Sequence, residues 1–171
     1  AGAKLNISEN CLDRNLAKRK NKVAIIWEPD DSTHPARVLT YYELYRAVNK
    51  FANALKKMGV ERGDRVGIYL PMIPEVVVSM LACARIGAVH SVVFSAFSAN
   101  ALRIRLQDAG AKVLITVDGY YRRGKLIDLK RQADEAVSGT AVEKMIVVKR
   151  AGNEIPWTQA RDFWYDRAVE G

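Results

Sequence analysis

The sequence predicts an α/β fold, namely a doubly wound and mainly parallel sheet with helices on both faces. Short runs rich in β-branched residues alternate with longer segments whose apolar residues recur at helical spacing. This alternation is typical of βαβ units, in which each helix crosses between two parallel strands. The runs are apolar almost throughout, as expected for strands that are covered on both faces.

Five apolar runs bounded by turn residues define the predicted strands. β-branched residues dominate them because such side chains pack well on a pleated surface. The strands are Val23–Trp27, Arg65–Leu70, Ala88–Phe94, Lys112–Val117 and Met145–Val148. A polar loop from Asp30 to Pro35 follows the first strand. We assign residues 1–22 to an N-terminal extension and residues 23–171 to one incomplete α/β subdomain.

Start and stop signals define the predicted helices. Thr40 and Glu43 form a capping box before apolar residues at helical spacing, and Gly59 ends that helix. One further helix opens at Pro71 and Pro74 and runs to Gly87, and the next runs from the cap Ser98 to Gly110. Another helix runs from about Leu126 to Val137. A last amphipathic segment opens at Pro156 and Trp157 and carries Phe163 and Trp164.

Composition excludes several classes of protein. The chain has 171 residues, 49% of them hydrophobic and 27% charged, which excludes disordered and low-complexity chains. No apolar run reaches the ~20 residues of a membrane span, and no secretory signal is present, so we expect a cytoplasmic protein without membrane contact. Cys11 and Cys83 have no metal-ligand spacing, and no catalytic constellation is present. We therefore expect neither a metal site nor a catalytic residue.

A formal net charge of +8 points to an anionic partner, which could be a nucleic acid, an anionic surface or a phosphorylated ligand. Most of the basic residues are scattered singly, as is typical of solvated helix faces. Two clusters stand out. One is Arg19–Lys22, and the other is Arg122–Lys125 followed by Lys130 and Arg131.

Two strand ends are candidate binding sites, because ligands of doubly wound sheets bind beyond the carboxyl ends of the strands. After the third strand come Phe94, Ser95 and Ala96, where small side chains admit a ligand to the backbone and the following helix N-terminus favours anions. A tight turn closed by the Ser98 cap explains the same residues without a ligand.

The second candidate follows the fourth strand. It comprises Arg122, Arg123, Gly124 and Lys125. The arginine fork matches phosphate oxygens and lysine adds a point charge, while the preceding tyrosines could stack on a base. A solvated basic loop is the alternative.

Several segments together resemble the AMP-forming acetyl-coenzyme A synthetases, which are adenylate-forming ligases. The segments are Asn10–Arg14, Phe51–Leu55, Tyr69–Glu75, Met80–Phe94, Val142–Arg150 and Arg161–Trp164. They keep the family's order and spacing from about Leu5 to the last residue. The resemblance implies a ligase that uses ATP to convert acetate to acetyl-AMP, with release of pyrophosphate, and then transfers the acetyl group to coenzyme A, with release of AMP.

The resemblance covers only an early part of the family's large N-terminal domain. It implies that the phosphate loop, the acetate pocket, the catalytic lysine and the Mg²⁺ site lie outside this chain. We expect this chain alone to complete neither half-reaction. A sheet that continues elsewhere leaves an edge uncovered, so we also expect self-association.

The resemblance places part of the coenzyme A nucleotide site in this chain. It implies that the adenine packs against the loop at Phe94, Ser95 and Ala96, and that Arg122 and Lys125 take the two basic positions for the 3′-phosphate. The family usually has Gly-Gly at residues 95 and 96, and a small residue at position 123. Two alternatives remain: a ligase for propionate or another short acid, and a basic α/β module that binds RNA or another polyanion.

Overall fold

Strands and helices alternate along residues 4–30 and 35–170, which are the residues that the computed structural model describes. The strands are β1 (Val23–Trp27), β2 (Arg37–Thr40), β3 (Arg65–Ile68), β4 (Val89–Val92), β5 (Val113–Val117), β6 (Tyr120–Arg122), β7 (Lys125–Ile127), β8 (Lys144–Val148) and β9 (Asp162–Trp164). The helices are α1 (Arg14–Arg19), which continues a π-helical turn at Glu9–Asp13, α2 (Tyr41–Lys57), α3 (Pro74–Ile86), α4 (Ala99–Ala109), α5 (Leu129–Val137) and α6 (Tyr165–Glu170).

The main sheet has five parallel strands in the order β4-β3-β5-β8-β9. The chain steps from β3 outward to β4 and then back across β3 to β5. Crossovers between parallel strands are right-handed as a rule, so this reversal predicts that α3 and α4 lie on opposite faces. α2 and α3 pack together on one face and α4 and α5 on the other. The predicted doubly wound parallel sheet is confirmed.

Local capping signals work as the sequence predicts. The Thr40 hydroxyl accepts a hydrogen bond from the Glu43 amide at 3.2 Å, and the Thr40 amide donates to the Glu43 carboxylate at 2.8 Å. The Thr40 hydroxyl also donates to the Glu43 carboxylate at 2.8 Å, and the two bonds that the carboxylate accepts, from the Thr40 amide and hydroxyl, hold the pKa of Glu43 below its usual value. Ser98 Oγ accepts from the Ala101 amide at 3.3 Å and so caps α4. Both helix starts are therefore fixed by their own first turn.

The strand at Val23–Trp27 is confirmed, but it does not join the main sheet. β1 instead pairs antiparallel with β2, a strand that the sequence analysis did not predict. Val23 and Ile26 are exposed, so this two-stranded ribbon is not covered on both faces as the strands of a parallel sheet are. Residues 31–34 of the predicted polar loop lie outside the described residues.

Two predicted helix starts are wrong. The helix expected from about Leu126 begins at Leu129, because the carboxylate of Asp128 accepts from the Arg131 amide and caps it there. The helix expected to open at Pro71 and Pro74 begins at Pro74, and Pro71 precedes it. In the last amphipathic segment, Phe163 and Trp164 lie in β9, where they pair in register with β8.

The first helical segment packs against the end of α3. The side-chain Nδ2 of Asn6 donates to the carbonyl of Ala84 at 2.9 Å, and Asp13 forms an ion pair with Arg85. The domain boundary at residue 22 stays a prediction.

In the described part of the chain, β4 is an edge strand of the main sheet, with Val89 and Val92 about half exposed. Self-association through such an edge also stays a prediction. Within residues 4–30 and 35–170, no helix is long and apolar enough to cross a bilayer.

Candidate functional site

A cleft of about 430 Å³ opens at the carboxyl end of the parallel sheet. Its walls come from the segments that follow β1, β3, β4, β5 and β8. The lining residues are Trp27, Glu28, Pro29, Asp30, Pro71, Met72, Ile73, Phe94, Ser95, Tyr120, Tyr121, Arg122 and Arg150. β3 and β5 lie on either side of the reversal in strand order, which is where ligands of doubly wound sheets bind. The volume is in the range of small-molecule pockets.

The structure brings three of the seven predicted site residues into one cleft. Phe94, Ser95 and Arg122 line it together, although they come from different strand ends. The other four, Ala96, Arg123, Gly124 and Lys125, do not line the cleft; they are exposed beside it.

Sequence reasoning missed the walls supplied by Trp27, Met72 and Arg150. Met72 and Arg150 closely follow strands of the main sheet, and that position is the signal that could have identified them, whereas Trp27 ends β1, which lies outside that sheet.

The basic stretch after β5 is a β-hairpin and not the loop that the sequence predicts. β6 pairs antiparallel with β7, and only Arg123 and Gly124 connect them. Both connecting residues have positive φ, +51° for Arg123 and +73° for Gly124, as in the type I′ turns that match the twist of a hairpin. The hairpin gives the basic side chains a defined backbone.

Arg122 and Lys125 are directly opposite each other in this hairpin. Residues paired across two antiparallel strands project from the same face, and like charges there repel and destabilise the pair. Neither cation has an ion-pair or hydrogen-bond partner among residues 4–30 and 35–170. An anion bound between them would remove the repulsion.

The basic residues that follow the hairpin form ion pairs with carboxylates of this chain. Lys130 is buried, and its ammonium lies 2.9 Å from a carboxylate oxygen of Asp162. The exposed Arg131 pairs with Asp128 at 3.1 Å. The basic cluster that the sequence predicts therefore divides, and only its first part faces the cleft region.

Replacing Arg123 with asparagine is expected to stabilise the chain by about 0.5 kcal/mol, because asparagine tolerates the left-handed region better than arginine. Arg123 is the one non-glycine residue with positive φ among the described residues. Urea unfolding measures the change. Arg123→Ala keeps the unfavourable φ and should gain little. An equal gain in both variants would show that loss of charge, and not backbone strain, is responsible.

Phe94 lines the cleft after β4, and Phe97 packs against it. The rings of Phe94 and Phe97 meet edge to face with centroids 5.9 Å apart, and the guanidinium of Arg105 lies 4.5 Å from the centroid of Phe97. Ser95 is buried, and its hydroxyl lies 3.4 Å from the phenol oxygen of Tyr120. The loop after β4 therefore contacts the hairpin directly, while half of the Phe94 ring stays exposed.

The buried Tyr69 forms a hydrogen bond with this loop. Its hydroxyl donates to the carbonyl of Phe97 at 2.6 Å, and burial raises the pKa of Tyr69 to about 12. The phenol therefore keeps its proton, and with it the hydrogen bond, throughout the physiological pH range.

The opposite part of the lining comes from the end of β1. The Trp27 indole donates to the carbonyl of Met72 at 2.6 Å, which ties the antiparallel ribbon to the segment after β3. The guanidinium of Arg150 lies 5.1 Å from the centroid of the Trp27 ring, within the range of a cation–π contact. Glu28 and Asp30 add two carboxylates to the same lining.

The cleft offers cations and aromatic faces beside the carboxylates of Glu28 and Asp30. In the described ranges, no group of three or more His, Cys, Asp or Glu side chains could hold a metal ion. We derive no step through a metal ion from these residues.

A parallel sheet of this order, with a cleft at its switch point, defines a doubly wound α/β domain, a class of proteins whose ligands bind beyond the strand ends. Within that class the sequence identifies one family. The chain belongs to the AMP-binding enzyme family, whose pattern it matches over residues 12–168.

Known relatives agree with this assignment. The chain is 54% identical over 173 residues to an acetyl-coenzyme A synthetase of Methanothrix thermoacetophila, and 52% identical over 170 residues to a 3-hydroxypropionyl-coenzyme A synthetase of Sulfurisphaera tokodaii. These alignments cover 99% and 96% of this chain and 26% of each relative. The solved structure of an acetoacetyl-CoA synthetase from Streptomyces lividans superposes with a TM-score of 0.89 at 32% identity, over 99% of this chain and 26% of that one. The chain spans about a quarter of the length of these relatives.

Proposed function

We propose that this chain is part of an acetate–coenzyme A ligase of the AMP-forming type. The substrates of the whole protein would be acetate, ATP and coenzyme A, and the reaction would pass through acetyl-AMP. Identity of 54% to an acetyl-coenzyme A synthetase supports this reading. The relative named for 3-hydroxypropionate is 52% identical, so similarity over this part of the chain separates acyl substrates poorly.

We further propose that the chain supplies part of the site for the nucleotide end of coenzyme A. The observation that carries this proposal is the pair Arg122 and Lys125, two cations opposite each other in the hairpin, of which Arg122 lines the cleft and Lys125 lies beside it, and neither has an anionic partner in the described residues. A phosphate monoester carries more than one negative charge near neutral pH and offers several acceptor oxygens. An arginine fork and a lysine ammonium suit such a group, and binding it would offset their mutual repulsion.

The aromatic wall would take the base. The exposed half of the Phe94 ring could pack against adenine, with Ser95 and Ala96 supplying the small surface beside it. Because Ser95 turns its hydroxyl toward Tyr120, its side chain leaves the adenine position less obstructed than a serine in place of glycine would suggest.

Two expectations about the whole protein also belong to this proposal. Mg²⁺ would accompany ATP at a site formed by residues outside this chain. A cytoplasmic location fits two cysteines that are both unpaired, one of them buried.

The test is a calorimetric titration of the 171-residue chain with coenzyme A and with dephospho-coenzyme A, which lacks the 3′-phosphate. We expect coenzyme A to bind more tightly, and Arg122→Ala to weaken its binding by about tenfold or more. The same substitution should leave dephospho-coenzyme A unchanged. Arg167→Ala is the matched control, because this exposed arginine on α6 does not line the cleft.

Three outcomes separate the candidate functions. Binding that needs the 3′-phosphate and Arg122 supports the coenzyme A site. Absence of coenzyme A binding together with tight binding of a single-stranded RNA that falls steeply with salt would favour the polyanion module. Absence of binding to either ligand would contradict a binding function for this chain by itself.

A further inference from the structure

Asp118 is a buried carboxylate that accepts four backbone hydrogen bonds. It follows β5 directly and is 1% exposed. Its Oδ1 accepts from the amides of Gly119 at 2.7 Å, Arg150 at 2.8 Å and Ala151 at 3.0 Å. Its Oδ2 accepts from the amide of Gly152 at 2.7 Å. Three of these donors belong to the turn after β8, so one side chain fixes the course of that turn.

The backbone of Asp118 ties in two further segments. Its amide donates to the carbonyl of Val148 at 3.1 Å, and its carbonyl accepts from the amide of Lys130 at 3.1 Å. The hairpin β6–β7 lies in the chain between Asp118 and Lys130. Asp118 therefore sets the position of the turn after β8 relative to both ends of the hairpin.

That turn carries a second cation into the cleft. Arg150 lines the cavity together with Arg122, and its guanidinium lies over the Trp27 ring. Within residues 4–30 and 35–170 this guanidinium has no ion-pair or hydrogen-bond partner, although its own backbone amide is held by Asp118. A cation–π contact orients a guanidinium by one face and leaves its N–H donors free for an anion.

The two cationic positions are structurally separate. Arg122 is paired with Lys125 on the hairpin, whereas Arg150 stands alone on the turn after another strand. Coenzyme A also carries two separate phosphate groups, a 3′-phosphate and a diphosphate. Two cationic positions on different loops of one cleft suit such a ligand better than they would suit a ligand with a single phosphate.

We infer, on the basis of the proposed function, that Arg150 binds the diphosphate of coenzyme A and that Asp118 is the positioning residue that aims it. Asp118 touches no ligand in this arrangement; it acts by holding the backbone from which Arg150 projects. Substitution by asparagine leaves one oxygen acceptor, so at least one of the four amides loses its partner and faces an NH₂ group.

The experiment titrates wild type, Arg150→Ala, Arg122→Ala and Asp118→Asn with coenzyme A and with dephospho-coenzyme A, which retains the diphosphate. We expect Arg150→Ala to weaken both ligands by about tenfold. Arg122→Ala should weaken coenzyme A alone. Asp118→Asn should reproduce the pattern of Arg150→Ala. Asp64→Asn is its matched control, because Asp64 accepts from the Glu61 amide at 2.9 Å just before β3, at the other end of the sheet from the cleft.

The possible failures are distinct. If the wild-type chain does not bind coenzyme A, the proposed site and this inference fall together. If it binds and Arg150→Ala changes neither ligand, or changes coenzyme A alone, only the assignment of Arg150 to the diphosphate is overturned. If Asp118→Asn and Asp64→Asn weaken binding equally, or if Asp118→Asn does not fold at 25 °C, Asp118 serves the stability of the fold and its positioning role is overturned.

Discussion

Replacing Lys130 with methionine is expected to lower the free energy of unfolding by about 3 kcal/mol, because the change removes the buried ammonium that pairs with the buried Asp162 and the partly buried Asp134. The Lys130 ammonium contacts both oxygens of Asp134, at 2.6 and 2.8 Å, and Asp162 at 2.9 Å. It also donates to the carbonyl of Pro156 at 3.1 Å. Methionine fills much of the same volume, so the expected loss reports on charge and hydrogen bonding more than on packing.

Arg161 limits the loss. Its guanidinium contacts Asp134 and Asp162, and the Thr158 amide also donates to Asp162 at 2.8 Å. Asp162 therefore keeps two partners in the variant, which is why we expect the lower end of the 3–5 kcal/mol range for broken buried pairs. Urea unfolding of Lys130→Met measures the change.

The loss should shrink in acid. Burial opposes ionisation of Asp162, but hydrogen bonds from Arg161, Thr158 and Lys130 outweigh it and hold the pKa of Asp162 below its usual value. A carboxylate with a lowered folded-state pKa contributes stability above its unfolded pKa of about 4 and loses it as the pH falls through the folded value. Without Lys130 the folded pKa rises, so the variant takes up a proton first and its deficit narrows below about pH 4.

The control is Lys112→Met, since Lys112 is about half exposed and pairs with Asp64 at 2.8 Å. Exposed pairs contribute ~0–1 kcal/mol, so this variant should stay within about 1 kcal/mol of wild type. If Lys130→Met were no more destabilised than Lys112→Met, the buried network would contribute nothing to stability. A deficit that is constant from pH 7 to pH 3 would show that lost packing, and not charge, causes it.

Lys130 also shows where sequence reasoning stops. In the sequence it belongs to a basic cluster that looks like a solvated face or an anion site. Its main buried partner, Asp162, lies far along the chain, and the two meet only because the fold brings the first residue of β9 next to Lys130 near the start of α5. Charge spacing along a chain does not report such a contact, whereas the capping box at Thr40 and Glu43 could be predicted because it is complete within four residues.

The same distinction separates the predicted from the unpredicted parts of the fold. β3, β4, β5 and β8 are apolar runs bounded by turn residues, so local pattern identified them. β9 has three residues and is a strand only because it pairs with β8. The hairpin β6–β7 was missed because its turn is Arg-Gly, which is a weaker type I′ signal than Asn-Gly or Asp-Gly.

The site was predictable to the extent that it lies at strand ends. Phe94, Ser95 and Arg122 follow predicted strands, and parallel topology brings those ends together. The Trp27 wall was not predictable in this way, because β1 lies outside the main sheet and reaches the cleft through its hydrogen bond to Met72.

Gly119 lies in the short link between β5 and the hairpin. Gly119→Ala should destabilise the chain by roughly 1–3 kcal/mol, the usual cost of overpacking. A Cβ there would lie 2.5 Å from Asn153 Oδ1 and 2.9 Å from the backbone oxygen of Ile127. Because the φ of Gly119 is not in the positive range, the expected cost comes from these contacts and not from backbone strain.

The two contacts differ in how easily they yield, and a double variant separates them. Asn153 can move its side chain, but Ile127 pairs with Tyr120 in the hairpin, so relief of the second contact must shift the strand that leads to Arg122. Gly119→Ala should therefore also weaken coenzyme A binding several-fold if the proposed site is correct. Adding Asn153→Ala should restore part of the stability, as urea unfolding would show, but not the binding. Full recovery of both would mean that Asn153 alone is displaced, and an unchanged stability in Gly119→Ala would mean that the hairpin moves freely on β5.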